Sequence, residues 1–276
     1  MMLRNYIITC ITFSFLSAGL FQAHAEVDSI SPSSNADIVE NSISDSENVA
    51  EIAYRNKDFS ESIQHYEAQV AKNKTVNKES PQLYYNLGNA YFRDSQIAKA
   101  IVNYERALLL DPGDNDIRHN LRFARTHIED KIDSIDNFFI NKWMRSLQNL
   151  YSANSWATLS IVLFILLIVA TGIYMISSRI IIRKISFYSG LVLISLVIIS
   201  NVFAFKQKRK ITNRSTAIVM SASVSIYTSP DAHSQELFRL HEGSKVNIKR
   251  EEGRWIEIQI ANGSVGWLQK NSVEVI

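Results

Sequence analysis

The side chains able to do chemistry are few and scattered. His65, His119, His127, His233 and His241 each stand without a cysteine or a paired carboxylate at metal-ligand spacing. His119 and His127 are too far apart in sequence to meet on one turn of a helix, where a helical metal pair would sit. Cys10 is the single cysteine, so neither an internal disulfide nor a thiolate cage is available. It follows Ile8-Thr9, whereas a lipoprotein signal wants a small residue just before the modified cysteine. No Gly-rich phosphate loop opens a helix, and no serine or cysteine sits in a nucleophile elbow. These absences predict no catalytic residues, no metal site, no cofactor and no enzyme. Recognition chemistry remains. Asn86 and Asn89 lie one helical turn apart, with amides able to hold successive backbone groups of an extended segment, and Tyr85, Phe92 and Arg93 flank them. The plainer alternative is that asparagine is simply a common occupant of such helix positions.

The elements that would position these residues follow from periodicity. Tyr84, Leu87, Gly88 and Tyr91 fall on one helix, Ala100, Tyr104 and Ala107 on the next, and Pro112 closes the unit. The pattern from Pro81 to Asp114 resembles the tetratricopeptide repeat, in which a glycine and an alanine let two antiparallel helices approach while larger residues fill the wedge beside them. A weaker copy lies upstream, where Phe59, Ser62 and Tyr66 take the places of Ile97, Ala100 and Tyr104. Downstream, Ile117, Leu121, Ala124 and Ile128 predict a capping helix within residues 116–131, covering the apolar face of the last repeat. Glu47 and Glu51 stand where a carboxylate clamp would need cations, so chaperone-tail binding is not expected.

Charge is sorted along the chain. Residues 26–140 carry 20 acids against 12 bases, residues 141–214 carry 10 bases and no acid, and residues 215–276 carry 7 acids and 6 bases. A single soluble domain does not sort charge this way, and no basic face is on offer for nucleic acid. Within the acid-free stretch, Trp156 to Ile176 and Ile185 to Phe205 are each 21 residues without a charge. Each is about 31 Å as a helix, against a hydrocarbon core of about 30 Å. Two spans are predicted, at 155–177 and 185–205, joined by a short basic loop at 178–184 and separated from the first domain by a juxtamembrane segment at 136–154. A basic linker at 206–214 follows. Residues 1–25 read as a cleaved signal peptide, with Arg4, an apolar middle and Ala23-His24-Ala25, or alternatively as an uncleaved anchor. Residues 26–46 read as a flexible linker. An export signal before an even number of spans puts both soluble regions, 47–135 and 215–276, in the periplasm, with the loop inside. Trp143, Tyr151 and Trp156 would form the aromatic belt at the outer face.

Residues 215–276 alternate as short strands at Ala217–Met220, Val224–Tyr227, Lys245–Lys249, Trp255–Ile260 and Val265–Leu268, with turn signals between them. With His241-Glu242-Gly243, Arg254-Trp255 and Gly266-Trp267-Leu268, this order resembles a bacterial SH3-like barrel. Arg254 stands where the groove tryptophan of a polyproline binder would be, Gln269 replaces its proline and Ser272 its last tyrosine. A surface of Tyr227, Arg254, Trp255 and Trp267 is a candidate ligand platform, or else the two tryptophans are core and rim.

The fold class is thus a multidomain membrane protein: an all-α repeat region, a two-helix transmembrane hairpin and a small all-β barrel. This order of parts resembles the BatE family of the Bacteroides aerotolerance operon, with Asn120-Leu121, Ser152-Ala153-Asn154-Ser155-Trp156-Ala157 and Arg183-Lys184-Ile185-Ser186-Phe187-Tyr188 also similar. The resemblance implies a bacterial inner-membrane scaffold. Its implied partners are membrane-anchored von Willebrand A-domain proteins, another repeat protein and a MoxR-type ATPase, besides membrane lipid. The alternative is an envelope-sensing module whose barrel binds cell wall or a peptide.

Overall fold

Polar caps and apolar spacing define the helices. The computed structural model describes residues 49–132 and 139–276; the signal peptide and linker expected at 1–46 lie outside the described residues. Helix α1 covers residues 49–55, α2 Phe59–Thr75, α3 Pro81–Arg93, α4 Ile97–Leu110 and α5 Asn115–Ala124. Asp58 caps α2, Ser80 caps α3 with Pro81 in its first turn, and Asp114 caps α5.

The upstream helix pair makes its turn in the same way as α3–α4. Lys57 and Ser95 both adopt left-handed backbone, at φ 67° and 63°, at equivalent positions of two turns. Asp58 N–H donates to Ala53 C=O and Gln96 N–H to Tyr91 C=O, both at 2.9 Å. The same turn thus joins α1 to α2 and α3 to α4. Ser62 and Ala100 are both fully buried where the helices cross. Gly88 faces the Tyr104 ring so closely that a Cβ there would lie 2.7 Å from two ring carbons. Helix α5 is shorter than the expected cap. It gives way to a 3-10 turn at Arg125–His127, and Ile128 is extended. Instead of continuing the helix, Ile128 packs on Gly243 of the carboxyl-terminal domain, where only a hydrogen fits: a Cβ would fall 2.4 Å from Ile128 Cγ2.

Helix α6, Phe139–Gln148, precedes two helices long and apolar enough to cross a membrane: α7, Ala153–Ile176, and α8, Ile180–Thr212. Only residues 177–179 separate α7 from α8, so Arg183 and Lys184 are helical rather than in a loop. Helix α8 also continues through the stretch expected as a linker, because Lys206 to Thr212 contains no helix breaker. The two helices meet through small residues, with Ser160, Ala170, Ser186 and Ser200 buried and Asn201 Nδ2 donating to Ser160 Oγ at 2.6 Å. Trp156 is not part of an exposed belt. It is 8% exposed, edge-on to Phe203 at 5.0 Å and to Tyr151 at 5.4 Å, and its Nε1–H donates to Gln148 C=O at 3.0 Å.

The carboxyl-terminal domain is an antiparallel sheet of seven strands in the order β3-β2-β6-β5-β4-β1-β7. The strands are β1 Thr216–Val219, β2 Ser223–Tyr227, β3 Glu236–His241, β4 Lys245–Glu252, β5 Trp255–Gln259, β6 Val265–Gln269 and β7 Val273–Val275. The expected closed barrel of five strands is corrected on both counts. The sheet is open, with β3 and β7 at its edges. Strand β3 escapes detection because the run of Glu236 to His241 is largely exposed and its apolar residues Leu237, Phe238 and Leu240 do not alternate strictly. Strand β7 is too short to show a period.

This domain docks on α4. Ile218 and Ile276 belong to the same apolar cluster as Ile101, Tyr104 and Leu121. Glu105, 5% exposed at its side chain, accepts from Lys245 Nζ at 2.7 Å and also pairs with Arg125. Arg106 reaches Glu274 at 2.8 Å and donates to Val275 C=O at 2.9 Å. Arg214 donates to Glu79 at 2.5 Å. His241, isolated in sequence, meets Asp130 at 2.8 Å, and Asp130 also accepts from His241 N–H at 2.7 Å and from Ser244 Oγ–H at 2.5 Å. Burial works to raise the Asp130 carboxyl, but the bonds from His241 and Ser244 outweigh it and hold the group below its ordinary 3.8. The Asp130 hydrogen bond raises His241 above its ordinary 6.5 against a smaller effect of burial.

Three outcomes are expected. Ala100→Leu should overpack the α3–α4 crossing and cost about 1–3 kcal/mol, read as a lower melting temperature of the purified protein; an unchanged melt would contradict the crossing. Cysteines replacing Arg106 and Glu274 should be joined by a short bifunctional thiol reagent, since the repeats and the sheet pack together at this pair; persistent failure to join them would contradict the docking. Docking should also respond to pH. The Asp130 contribution is present above about pH 4 and lost as pH falls through its depressed pKa, whereas that of His241 is present below about pH 6.5 and lost as pH rises through its raised pKa. Melting temperature should therefore fall as pH rises above about 6.5 through the raised pKa of His241, and His241→Gln should flatten that slope.

Candidate functional site

Helices α1 and α3 open two successive helix pairs, and α5 follows them on the same core, at the interval a further first helix would have. The sequence-derived candidates sit there unequally. Arg93 is exposed, its guanidinium 5.3 Å over the Phe59 ring. Phe92 is half-buried and forms an aromatic cluster with Phe123 at 5.5 Å and His127 at 5.3 Å, while Phe123 itself is 52% exposed. Tyr85 leans on Tyr104 at 6.0 Å.

The two asparagines do different jobs. Asn89 Oδ1 accepts from Tyr104 Oη–H at 2.7 Å and from Asn120 Nδ2–H at 2.9 Å. Asn120 Nδ2 also donates to Tyr85 Oη at 3.0 Å. Asn89 is thus the hub that ties α3, α4 and α5 together, with its amide oxygen already used. Asn86 Oδ1 accepts only from the exposed Gln82, at 3.1 Å, so its amide can exchange that bond at little cost. The two asparagines, expected as equivalent clamps, thus differ in their surroundings: the Asn89 amide oxygen is engaged by Tyr104 and Asn120, whereas that of Asn86 accepts from an exposed neighbour. Tyr104 is a dependable donor, because burial pushes its phenol well above its ordinary value, helped by Tyr85 and Tyr54 and only weakly opposed by Asn120.

Asn120 is the residue the sequence reading passed over. The signal was present: Asn120 follows Asn86 by 34 residues and Leu121 follows Leu87 by the same interval, which marks α5 as the first helix of a further unit. Phe123 and His127 were missed as site residues for the same reason, since α5 was read only as a cap.

The β-sheet meets the repeats through α4, Glu79 and residues 128–130, and therefore leaves the Asn86, Phe92 and Phe123 side to α3 and α5. On the sheet itself, Tyr227 and Trp255 are half-buried and stand edge to face at 5.7 Å, with Arg254 exposed beside them. Trp267 does not join a platform. It is buried, with the Arg250 guanidinium 5.0 Å over its ring. Among the described residues, no three histidine, cysteine or carboxylate side chains gather in metal-binding geometry.

The face thus carries an exchangeable amide at Asn86 and a half-exposed aromatic cluster at Phe92–Phe123. If Asn89 is the hub, Asn89→Ala should lower the melting temperature by freeing the buried Tyr104 hydroxyl, at about 1–3 kcal/mol, while Asn86→Ala should leave it unchanged. Equal melts for the two variants would contradict this division. In comparison with known proteins, no curated protein matches the chain, and residues 81–114 match the tetratricopeptide repeat.

Proposed function

We propose that the protein is a membrane-anchored scaffold that binds a partner protein along the α1–α3–α5 face and has no catalytic role of its own. The observation that carries this reading is the open face itself. Asn86 has an exchangeable amide and Phe123 is half exposed, while the β-sheet is engaged with α4. The tetratricopeptide match over residues 81–114 supports protein binding as the task. Membrane anchoring draws on α7 and α8, whose apolar windows are only 11% buried, unlike the core helices of a soluble protein. Both soluble regions lie on one side in this reading, because they share an apolar cluster and several ion pairs. A periplasmic site for them rests on the signal-like residues 1–25. A role in an aerotolerance complex, with von Willebrand A-domain and MoxR-type partners, rests on the resemblance of sequence segments alone.

A second reading is favoured by the Tyr227–Trp255 pair, which gives an SH3-like sheet a small aromatic surface for a cell-wall or peptide ligand. The two separate in one experiment. A photo-crosslinking amino acid at Phe123 of the full-length protein in its native membrane should capture a discrete partner, and one at Arg254 should not. Adding Asn86→Ala should weaken that capture about two- to tenfold, the worth of one lost hydrogen bond. Capture at Arg254 alone would transfer the partner site to the sheet.

A further inference from the structure

Helix α6 has an apolar face that is largely exposed among the described residues. At about 100° per residue, Phe139, Trp143, Met144 and Leu147 fall within an arc of about 140°. Phe139 is 77% exposed and Trp143 62%, and Leu150 and Tyr151 continue the exposed surface toward α7. The far end of α6 is fixed at the height where the apolar helices begin. Gln148 is buried and donates from Nε2 to Gln207 Oε1 of α8 at 3.1 Å, and its carbonyl accepts from Trp156 of α7. On the other side, the Leu150 carbonyl lies against Gly113 of the repeats, where a Cβ would be 2.4 Å from its oxygen.

The charges beside this face are of one sign. Lys210 Nζ reaches only the amide oxygens of Asn149, at 3.4 Å, and Gln207, at 3.5 Å. Burial lowers the Lys210 pKa, and the neighbouring charges of Arg145, Lys245 and Lys206 lower it further. Lys245 is neutralised by Glu105. Arg145, Lys206 and Lys210 have no carboxylate partner among the described residues, and residues 141–214 contain no acid to supply one. Cations without a carboxylate partner among the described residues, at the Gln148 end and on the polar side of a helix whose other side exposes Phe139 and Trp143, have the composition of a helix lying in an anionic lipid interface.

We infer that α6 lies in the plane of the bilayer surface, its Phe139–Trp143–Leu147 face in the headgroup–acyl boundary and Arg145, Lys206 and Lys210 holding the phosphates of anionic lipid headgroups. The partner is committed by continuity: the α6 face runs through Leu150 and Tyr151 into the apolar surface of α7 and α8. The helix thereby seats the repeat–sheet body on the membrane and fixes the height of the partner-binding face. This inference rests on the membrane reading of α7 and α8, and the test separates the two.

Full-length protein with Cys10→Ser is reconstituted in phosphatidylcholine vesicles, with or without phosphatidylglycerol, and spin-labelled at Met144→Cys, Ile165→Cys or Asn262→Cys. Collision with oxygen reports depth in lipid, and collision with a water-soluble nickel chelate reports exposure to water. The label at 165 should favour oxygen, that at 262 nickel, and that at 144 should be intermediate and at least about twofold more protected from nickel when phosphatidylglycerol is present. Arg145→Gln with Lys206→Gln and Lys210→Gln should abolish that lipid dependence. If 165 is deep while 144 is as open to nickel as 262, the inference fails and the spans stand. If 144 is shielded from both reagents, protein covers the face and the inference fails. Equal protection in both lipids overturns the headgroup assignment. Nickel access at 165 overturns the membrane reading, and this inference with it.

Discussion

Helix α4 is the element on which the rest is assembled. Eight of its 14 residues are buried, on more than one face. One side takes Gly88 and Tyr91 of α3, another takes the sheet through Ile101, Glu105 and Arg106, and a third takes α5. A helix enclosed on several sides cannot be amphipathic in the ordinary sense, and α4 accordingly brings Ala98, Ala100 and Ala107 wherever a neighbour approaches closely. The buried Glu105 is the constraint within this contact. A carboxylate so placed is costly unless paired, and its cations come from two different elements, Arg125 after α5 and Lys245 on β4. The pair therefore specifies how the sheet sits on the repeats more than it adds stability.

That contact has a consequence for topology. The chain leaves the repeats, runs through two long apolar helices and returns as the sheet that packs on α4. Domains that share an apolar cluster must share a compartment. The basic residues after α8 would by charge counting alone argue for the opposite side from their partner domain. Of these residues, Lys206 and Lys210 lie near Arg145 of α6.

The open face of the repeats gains its order from the same core. Tyr104 is on α4, and its hydroxyl holds Asn89, which in turn holds Asn120. This face is thus built from inside outwards, with the buried phenol setting the position of the half-exposed amides. Asn86, one turn away, is outside this chain of bonds and is free to respond to what binds. Arrangement and adaptability are divided between two residues of the same type.

The sequence alone determined the elements whose signals are local. Glycine and alanine at helix crossings, the 34-residue interval and the length of two uncharged runs each need only neighbouring residues to be read. The strands with clear alternation and glycine turns were legible for the same reason. What tertiary structure decided lies between distant residues. His241 finds Asp130 111 residues away, Ile128 leaves its helix for Gly243, and Trp156 turns inward onto Phe203. Strand β7 exists because Thr216 C=O and the β1 edge accept it, not because three residues carry a period. In each case the residues that meet share no sequence window.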